Sequence, residues 1–385
     1  MFQSRQCQSS FGGKILEIPG LCVDNFENPH SDGARAYFLS HFHTDHTKGL
    51  DGHLLLSKLE MERNVFIYAT KLTAAIIVHN YQNLKDYVKI LNLGSNLITL
   101  PGDTMDSDII LNVILIPAGH CLGSTMFLFE TTLLKVLYTG DFRIRPSDLS
   151  KYAAFHDKNG DIIKLDALYV DTTFMKYEYY EFPKRSDSIK EVMQLIRGYL
   201  DSHDDQFVIL DTSATYGYEY IFNEIYKLLG TKVYVEDKIW EFYRNIQNLV
   251  KGVTNTPSET RIFLKRIPDS RRSRLPAKKI RFSAMKWSTW TEDKSSVEEN
   301  GNNVFVCFAT HCSRSEVISF VEYLNPKKVV GFPSAYKVLD SPGKQGDGKN
   351  FVLSPRKSPR KLSTLNKPYQ NDKKVDAAVL RKIFG

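Results

Sequence analysis

Ser40-His-Phe-His-Thr-Asp-His-Thr47 holds three imidazoles and a carboxylate, His41, His43, Asp45 and His46, within six residues. Such groups at alternating positions face a common point only when a strand delivers them into a tight turn, an arrangement suited to a divalent ion such as zinc. The competing reading is a polar loop that happens to carry three of the chain's ten histidines, and the surroundings decide between the two. Ala34-Arg-Ala-Tyr-Phe-Leu39, just before the motif, is an apolar, aromatic run expected to form a buried strand. Val113-Ile-Leu-Ile-Pro-Ala-Gly-His120 and Lys135-Val-Leu-Tyr-Thr-Gly-Asp141 are two more strand-like runs, one ending in a histidine and the other in an aspartate. Any one such ending is ordinary, because strand ends often carry a capping Asp or a satisfied His. All three together point to a metal-dependent hydrolase.

The rest of the chain sets bounds on this reading. Its 385 residues, 42% of them hydrophobic, are enough for two packed domains or one large composite. No apolar stretch approaches the ~20 residues that span a bilayer, and Met1 to Gly13 lacks a secretory apolar core. A non-membrane protein that is not exported by that route is expected. Cys7, Cys22, Cys121, Cys307 and Cys312 are scattered and form no Cys-x-x-Cys pair, as expected in a reducing compartment. The formal charge of +7 is concentrated in the tail, where residues 341–385 carry eleven Lys or Arg against three Asp.

From Lys14 to Thr173 the pattern is strand-rich. After Pro183 the period changes, and Ser186 is placed to cap a helix whose apolar face is Ile189, Val192, Met193, Ile196 and Tyr199. A strand at Phe207-Val-Ile-Leu210, a helix over about 218–229 and a basic stretch around Lys265 to Arg281 complete an α/β insertion. The sheet pattern resumes at Asn303, and a helix with Val317, Phe320, Val321 and Leu324 leads to a last strand at Lys328-Val-Val330, expected to rejoin the first layer. Beyond Ser341 the composition is too poor in apolar residues for a packed core, so disorder is expected. The tail repeats Ser354-Pro-Arg-Lys357 as Ser358-Pro-Arg-Lys361. This reads either as a basic nuclear-import or DNA-contacting segment or as a solubilising one.

With these residues in order, the chain resembles the β-CASP DNA nucleases of the metallo-β-lactamase fold, the DNA cross-link repair nucleases. It is nearer the Artemis type than the Apollo type in Arg35-Ala-Tyr-Phe-Leu-Ser-His41, Pro117-Ala-Gly-His-Cys121, Leu137-Tyr-Thr-Gly-Asp-Phe-Arg143, Tyr169-Val-Asp-Thr-Thr-Phe174 and Tyr216-Gly-Tyr-Glu-Tyr-Ile-Phe222. The resemblance implies an α/β chain with a four-layer αββα fold and an inserted α/β β-CASP domain. The implied boundaries are 1–180 for the first part, 181–300 for the insertion, 301–340 for the final part and 341–385 for the tail. It implies metal ligands at His41, His43, Asp45, His46, His120 and Asp141, an orienting carboxylate at Asp24, and catalytic roles for Asp45, Asp141, Asp171 and His311. Taken alone, Asp171 also reads as a strand-end cap and His311 as a hydrogen-bonded core histidine.

Two departures from the family pattern stand out. At the position called C, where RNA-cleaving relatives place a histidine, the chain has Phe332-Pro333, and no histidine follows His311. No Cys or His lies between His203 and Cys307, so the insertion's structural zinc is not expected. The implied cofactors are one tightly held Zn2+ and a second, weaker divalent ion, Zn2+, Mg2+ or Mn2+. Such a site brings the pKa of bound water toward ~7 and favours phosphodiester hydrolysis to a 5′-phosphate and a 3′-hydroxyl.

The expected function is a nuclear, monomeric DNA nuclease, endonucleolytic on hairpins and overhangs and 5′-to-3′ exonucleolytic, acting in end joining or interstrand cross-link repair. Its partners would be 5′-phosphorylated DNA ends and end-joining kinase and ligase complexes. An Apollo-like 5′ exonuclease at chromosome ends and a DNA-end-binding scaffold are the alternatives. Lys265, Arg266, Arg271, Arg272, Lys278 and Lys279 read either as phosphate contacts or as a solvated charge run.

Overall fold

The computed structural model describes residues 9–338 apart from residues 63, 101, 103–107 and 272–275. The basic tail, Cys7 and Arg272 therefore lie outside the described residues. The first sheet is wholly parallel and runs β1 (Leu21–Val23), β2 (Ala36–Leu39), β3 (Ile67–Thr70), β4 (Val88–Leu91). Parallel neighbours need crossovers, which α1 (His53–Met61) and α2 (Lys71–Asn80) supply. β2 and β3 are buried at every position, as strands covered on both faces must be.

The second sheet contains β5 (Gly94–Leu100), β6 (Ile109–Pro117), β7 (Thr125–Glu130), β8 (Lys135–Tyr138) and β9 (Ala167–Asp171). The two apolar runs starting at Asp108 and Val113 form the single strand β6. Phe38 of β2 meets Phe127 and Phe129 of β7 edge-on, with ring centroids 5.3 and 5.0 Å apart. Burying each such ring contributes about 1.5–3 kcal/mol. This aromatic seam is the core between the two sheets, with Leu21, Val23, Leu111, Val113, Leu115 and Tyr138 around it.

α3 (Arg185–Ser202) begins the insertion. The expected face is buried at Ile189, Val192, Met193 and Ile196, but the helix starts before Ser186, and its N-cap, Lys184, makes no side-chain cap. Next come β10 (Val208–Asp211), α4 (Glu219–Leu229), β11 (Val233–Tyr234), α5 (Asp237–Tyr243), β12 (Val253–Thr254), β13 (Ile262–Leu264), β14 (Lys278–Phe282), β15 (Val297–Asn300) and β16 (Asn303–Val306). These strands form one sheet in the order β12-β11-β13-β10-β14-β16-β15. β16 pairs in parallel with β14, so this sheet extends past residue 301, where the sequence had suggested its end. An apolar core of α3, α4 and α5 side chains packs on it.

α6 (Arg314–Leu324) opens with a complete capping box, Ser313 with Glu316. It packs Val317, Phe320, Val321 and Leu324 on the outer face of the second sheet. β17 (Val329–Phe332) then pairs in parallel with β9, so the last strand joins the second sheet. α1 and α2 cover the other side through Leu55, Leu59, Ala74 and Ile77. The order is helices, sheet, sheet, helix: an αββα sandwich with an α/β insertion. No helix among the described residues is long and apolar enough to cross a membrane.

Candidate metal centre

Every candidate ligand lies at or just beyond the C-terminal end of a strand. His41, His43, Asp45 and His46 follow β2, His120 follows β6, Asp141 follows β8, Asp171 closes β9, and His311 stands between β16 and α6. A glycine precedes both His120 and Asp141, and Gly119 and Gly140 have φ of 71° and 52°. These left-handed turns favour glycine and swing the next side chain back over the strand ends. At Gly140 a Cβ would lie 2.7 Å from Ser40 Oγ.

His41, His43, His120 and Asp141 bring one ligand atom each within 4.8 Å of the others. His41 Nε2 and His120 Nε2 stand 3.1 and 3.0 Å from His43 Nδ1, and both are 3.6 Å from Asp141 Oδ2. The outward nitrogens settle the tautomers. His43 Nε2 donates to the Tyr216 carbonyl at 3.2 Å, and His120 Nδ1 donates to the Thr310 carbonyl at 3.1 Å. Ser40 Oγ donates to Asp24 Oδ2 at 2.6 Å and so accepts from His41 Nδ1 at 3.0 Å. With the outward N–H groups committed, the three inward nitrogens all present lone pairs, which repel at 3.0–3.1 Å unless a cation lies among them. Three imidazoles and a carboxylate are also a zinc donor set. Burial and the neighbouring imidazoles hold His41 and His120 well below their ordinary pKa, and His43, lowered chiefly by burial, is likewise neutral and able to ligate.

Asp45, His46 and Asp141 form a second group, Asp141, Asp171 and His311 a third and Asp24, His41 and His46 a fourth, so Asp141 is common to three of the four. His46 Nε2 lies 3.2 Å from Asp141 Oδ1 and 3.5 Å from Asp45 Oδ2. Burial alone would lower His46, but Asp141 and Asp24 outweigh it and raise the ring well above its ordinary value. Asp24 is fully buried with φ 54°. It accepts from Ser40 N at 2.7 Å, His46 Nδ1 at 2.8 Å and Tyr138 Oη at 2.9 Å, besides Ser40 Oγ. An outer carboxylate so placed fixes the orientation of two imidazoles at once.

His311 Nδ1 donates to Asp171 Oδ2 at 2.7 Å, leaving Nε2 3.8 Å from Asp141 Oδ2. Burial would lower this ring, but Asp141 and Asp171 push it up to about 9. Asp171 is held below its ordinary value: burial would raise it, and His311 outweighs that. At the end of β17, Phe332 stacks on Tyr138, and its carbonyl accepts from Thr172. Among the described residues, no side chain of this strand joins the ligand groups.

The basic residues fare differently. Lys278 and Lys279 open β14, opposite Val208 and Ile209 at the start of β10. Lys278 pairs with Glu299 at 2.6 Å and Lys279 with Asp211 at 3.4 Å. Arg266 pairs with Glu236, and Arg271 lies over the Phe207 ring. Lys265 is exposed and has no ion pair among those described. Three of these cations, Arg266, Lys278 and Lys279, thus face acidic neighbours, while among the described residues Lys265 and Arg271 do not.

Sequence reasoning missed Ser10, whose Oγ lies 3.2 Å from His46 Nε2, and the outer partners Ser40, Tyr138, Tyr216 and Thr310. Ser10 carries no local signal. Two of the partners act through backbone carbonyls, which side-chain identity does not reveal.

Residues 251–332 match the family described as DNA repair metallo-beta-lactamase. The chain is 30% identical to Protein artemis of Mus musculus over 94% of its own length and 52% of that protein's. It is 26% identical to DNA cross-link repair 1A protein of Gallus gallus, covering 85% of the chain and 33% of the relative. It is 32% identical to 5′ exonuclease Apollo of Mus musculus, covering 48% and 31%. The chain spans about half the length of the artemis proteins it matches.

Proposed function

We propose, from the match of residues 251–332 to the DNA repair metallo-beta-lactamase family and the 30% identity to an artemis protein, that the chain is a metal-dependent DNA nuclease. One observation carries the reading: Asp141 stands between a three-histidine group, an Asp–His group and a buried Asp–His pair. His41, His43, His120 and Asp141 would hold one divalent ion; Asp45, His46 and Asp141 would hold a second with fewer protein ligands and lower affinity. Bound there, such ions supply Lewis acidity toward phosphoryl oxygens and lower the pKa of water to near neutrality.

The chain's own groups do the rest. Asp171 keeps the His311 ring oriented through Nδ1 and favours its charged form, so that Nε2–H faces the ligand cluster. From there it can deliver a proton to the departing 3′ oxygen. Relatives named for cross-link repair and for 5′ exonuclease activity support those two readings; hairpin and overhang cleavage, end joining and a nuclear location rest on the resemblance of the sequence motifs alone. The absence of a histidine after His311 favours DNA over RNA.

The test is cleavage of end-labelled hairpin, overhang, 5′-phosphorylated single-strand and matched RNA substrates by wild type, His43→Ala and Asp45→Asn. Wild type should cut DNA, with both variants reduced at least about 100-fold, the scale of losing a catalytic electrostatic group. Variants that cut at the wild-type rate overturn the assignment. Cutting confined to the single strand identifies a 5′ exonuclease, whereas binding without cutting identifies an end-binding scaffold.

A further inference from the structure

The imidazole of His43 is oriented by a residue outside the sandwich, through a single peptide plane. Its Nε2–H donates to the Tyr216 carbonyl at 3.2 Å. The other end of that Tyr216–Gly217 peptide, the Gly217 N–H, donates to Glu219 Oε1 at 2.9 Å. The same oxygen accepts from Tyr243 Oη at 2.7 Å. Because the peptide is planar and stiff, fixing its N–H fixes its carbonyl, and hydrogen bonds arranged head to tail strengthen one another. Glu219 lies in the first turn of α4 and Tyr243 at the end of α5, so the brace is built wholly from the insertion.

Two further observations say that this geometry matters for His43. Gly217 has φ 107°, and a Cβ there would lie 2.8 Å from His43 Nε2, so loop and ring are in close contact. The Tyr216 ring sits between Phe42, the residue flanked by His41 and His43, and Phe242, with centroids 6.1 and 5.2 Å away. Glu219 itself is 5% exposed, and its Oε2 has no hydrogen-bond partner among the described residues. A buried carboxyl oxygen left unpaired costs stability, so the residue is poorly explained as a stabiliser of α4.

We propose that Glu219 is a positioning residue for the metal centre: acting through the Tyr216–Gly217 peptide, it holds His43 with Nδ1 turned toward the ion. This rests on the reading that His41, His43, His120 and Asp141 hold a divalent cation. The role requires an acceptor at Oε1 and no charge, so glutamine satisfies it and alanine does not. Burial raises the Glu219 carboxyl above its ordinary range, and the uncharged amide has the same shape.

The experiment is Co2+ binding to the metal-free full chain, measured by competition with a chromogenic chelator and by the visible absorption of the bound ion. Glu219→Ala should lose about 10-fold in affinity, at the lower end of the range for residues that orient ligands, with a changed spectrum. Tyr243→Phe should shift both readouts the same way by less, and Glu219→Gln should keep wild-type affinity and spectrum. If Glu219→Ala does not fold, Tyr243→Phe and Glu219→Gln decide the matter. Alanine and phenylalanine variants that bind like wild type overturn the proposal, and so does a glutamine variant as weak as alanine. Wild type that binds no Co2+ overturns instead the ligand assignment beneath it.

Discussion

Asp24 shows what one side chain does at this centre. It lies between β1 and β2 and receives four hydrogen bonds on two oxygens, one of them from His46 and one from the hydroxyl that also holds His41. Asp24→Ala should therefore lower divalent-metal affinity by about 10–100-fold, as read by chelator competition; unchanged affinity would show that the two imidazoles orient themselves. Gly140→Ala acts on the same chain from the other side, because its Cβ would press on Ser40 Oγ and its φ of 52° disfavours a side chain. It should weaken metal binding without altering any ligand. The residues gathered here were legible in the sequence as candidate ligands because each is a metal-competent residue ending an apolar run. Their outer partners were less so, since the Tyr216 and Thr310 carbonyls belong to residues whose side chains point to other roles.

At the scale of elements, Arg143 joins segments that the sequence keeps far apart. It follows β8 two residues after Asp141, bonds Glu316 at the start of α6 through Nε at 3.2 Å and Nη2 at 3.3 Å, and donates to the carbonyls of Ala309 and Pro183. This fixes the loop carrying His311 against the loop carrying Asp141. Replacing Arg143 by Met leaves the partly buried Glu316 without the guanidinium that pairs with it, so Arg143→Met should cost roughly 3 kcal/mol, the low end for a buried pair, in denaturant unfolding. A loss below about 1 kcal/mol, the scale of an exposed pair, would mean that the capping box alone anchors α6. The period change at α3 and the run at β9 were readable because burial on one face or on both leaves a pattern. The start of α3 was misplaced, because Ser186 has capping chemistry but the helix begins one residue earlier without any side-chain cap. The extent of the insertion sheet was also misjudged, since β16 looks like any buried strand and only its pairing with β14 reveals its sheet.

For the whole molecule, the ligands come from β2, β6 and β8, with β9 and the approach to α6 beside them, so an ion there ties the two sheets and the loop before α6 together. An ion that binds only the folded chain adds stability by mass action, about 2.7 kcal/mol at a free concentration 100 times its dissociation constant. Chelation should accordingly lower the unfolding midpoint, and added Zn2+ should restore it; His120→Ala should unfold at the chelated wild-type midpoint with or without metal. A midpoint insensitive to both chelation and added Zn2+ would mean that no ion binds the folded chain in preference to the unfolded one. The strands of the sandwich were legible as apolar runs, whereas its four-layer order followed from the family resemblance, and α1 and α2 were not read within the strand-rich stretch. The ion pairs of the basic stretch were not legible, because Glu236, Glu299 and Asp211 are distant in sequence from the cations they meet.

The central claim is that segments far apart in the chain gather His41, His43, His120 and Asp141 around one divalent ion. Anomalous scattering at the zinc edge from crystals of the zinc-loaded protein tests it most directly. The account predicts a peak bounded by His41 Nε2, His43 Nδ1, His120 Nε2 and an Asp141 carboxylate oxygen; a zinc-replete crystal with its strongest peak elsewhere would contradict it.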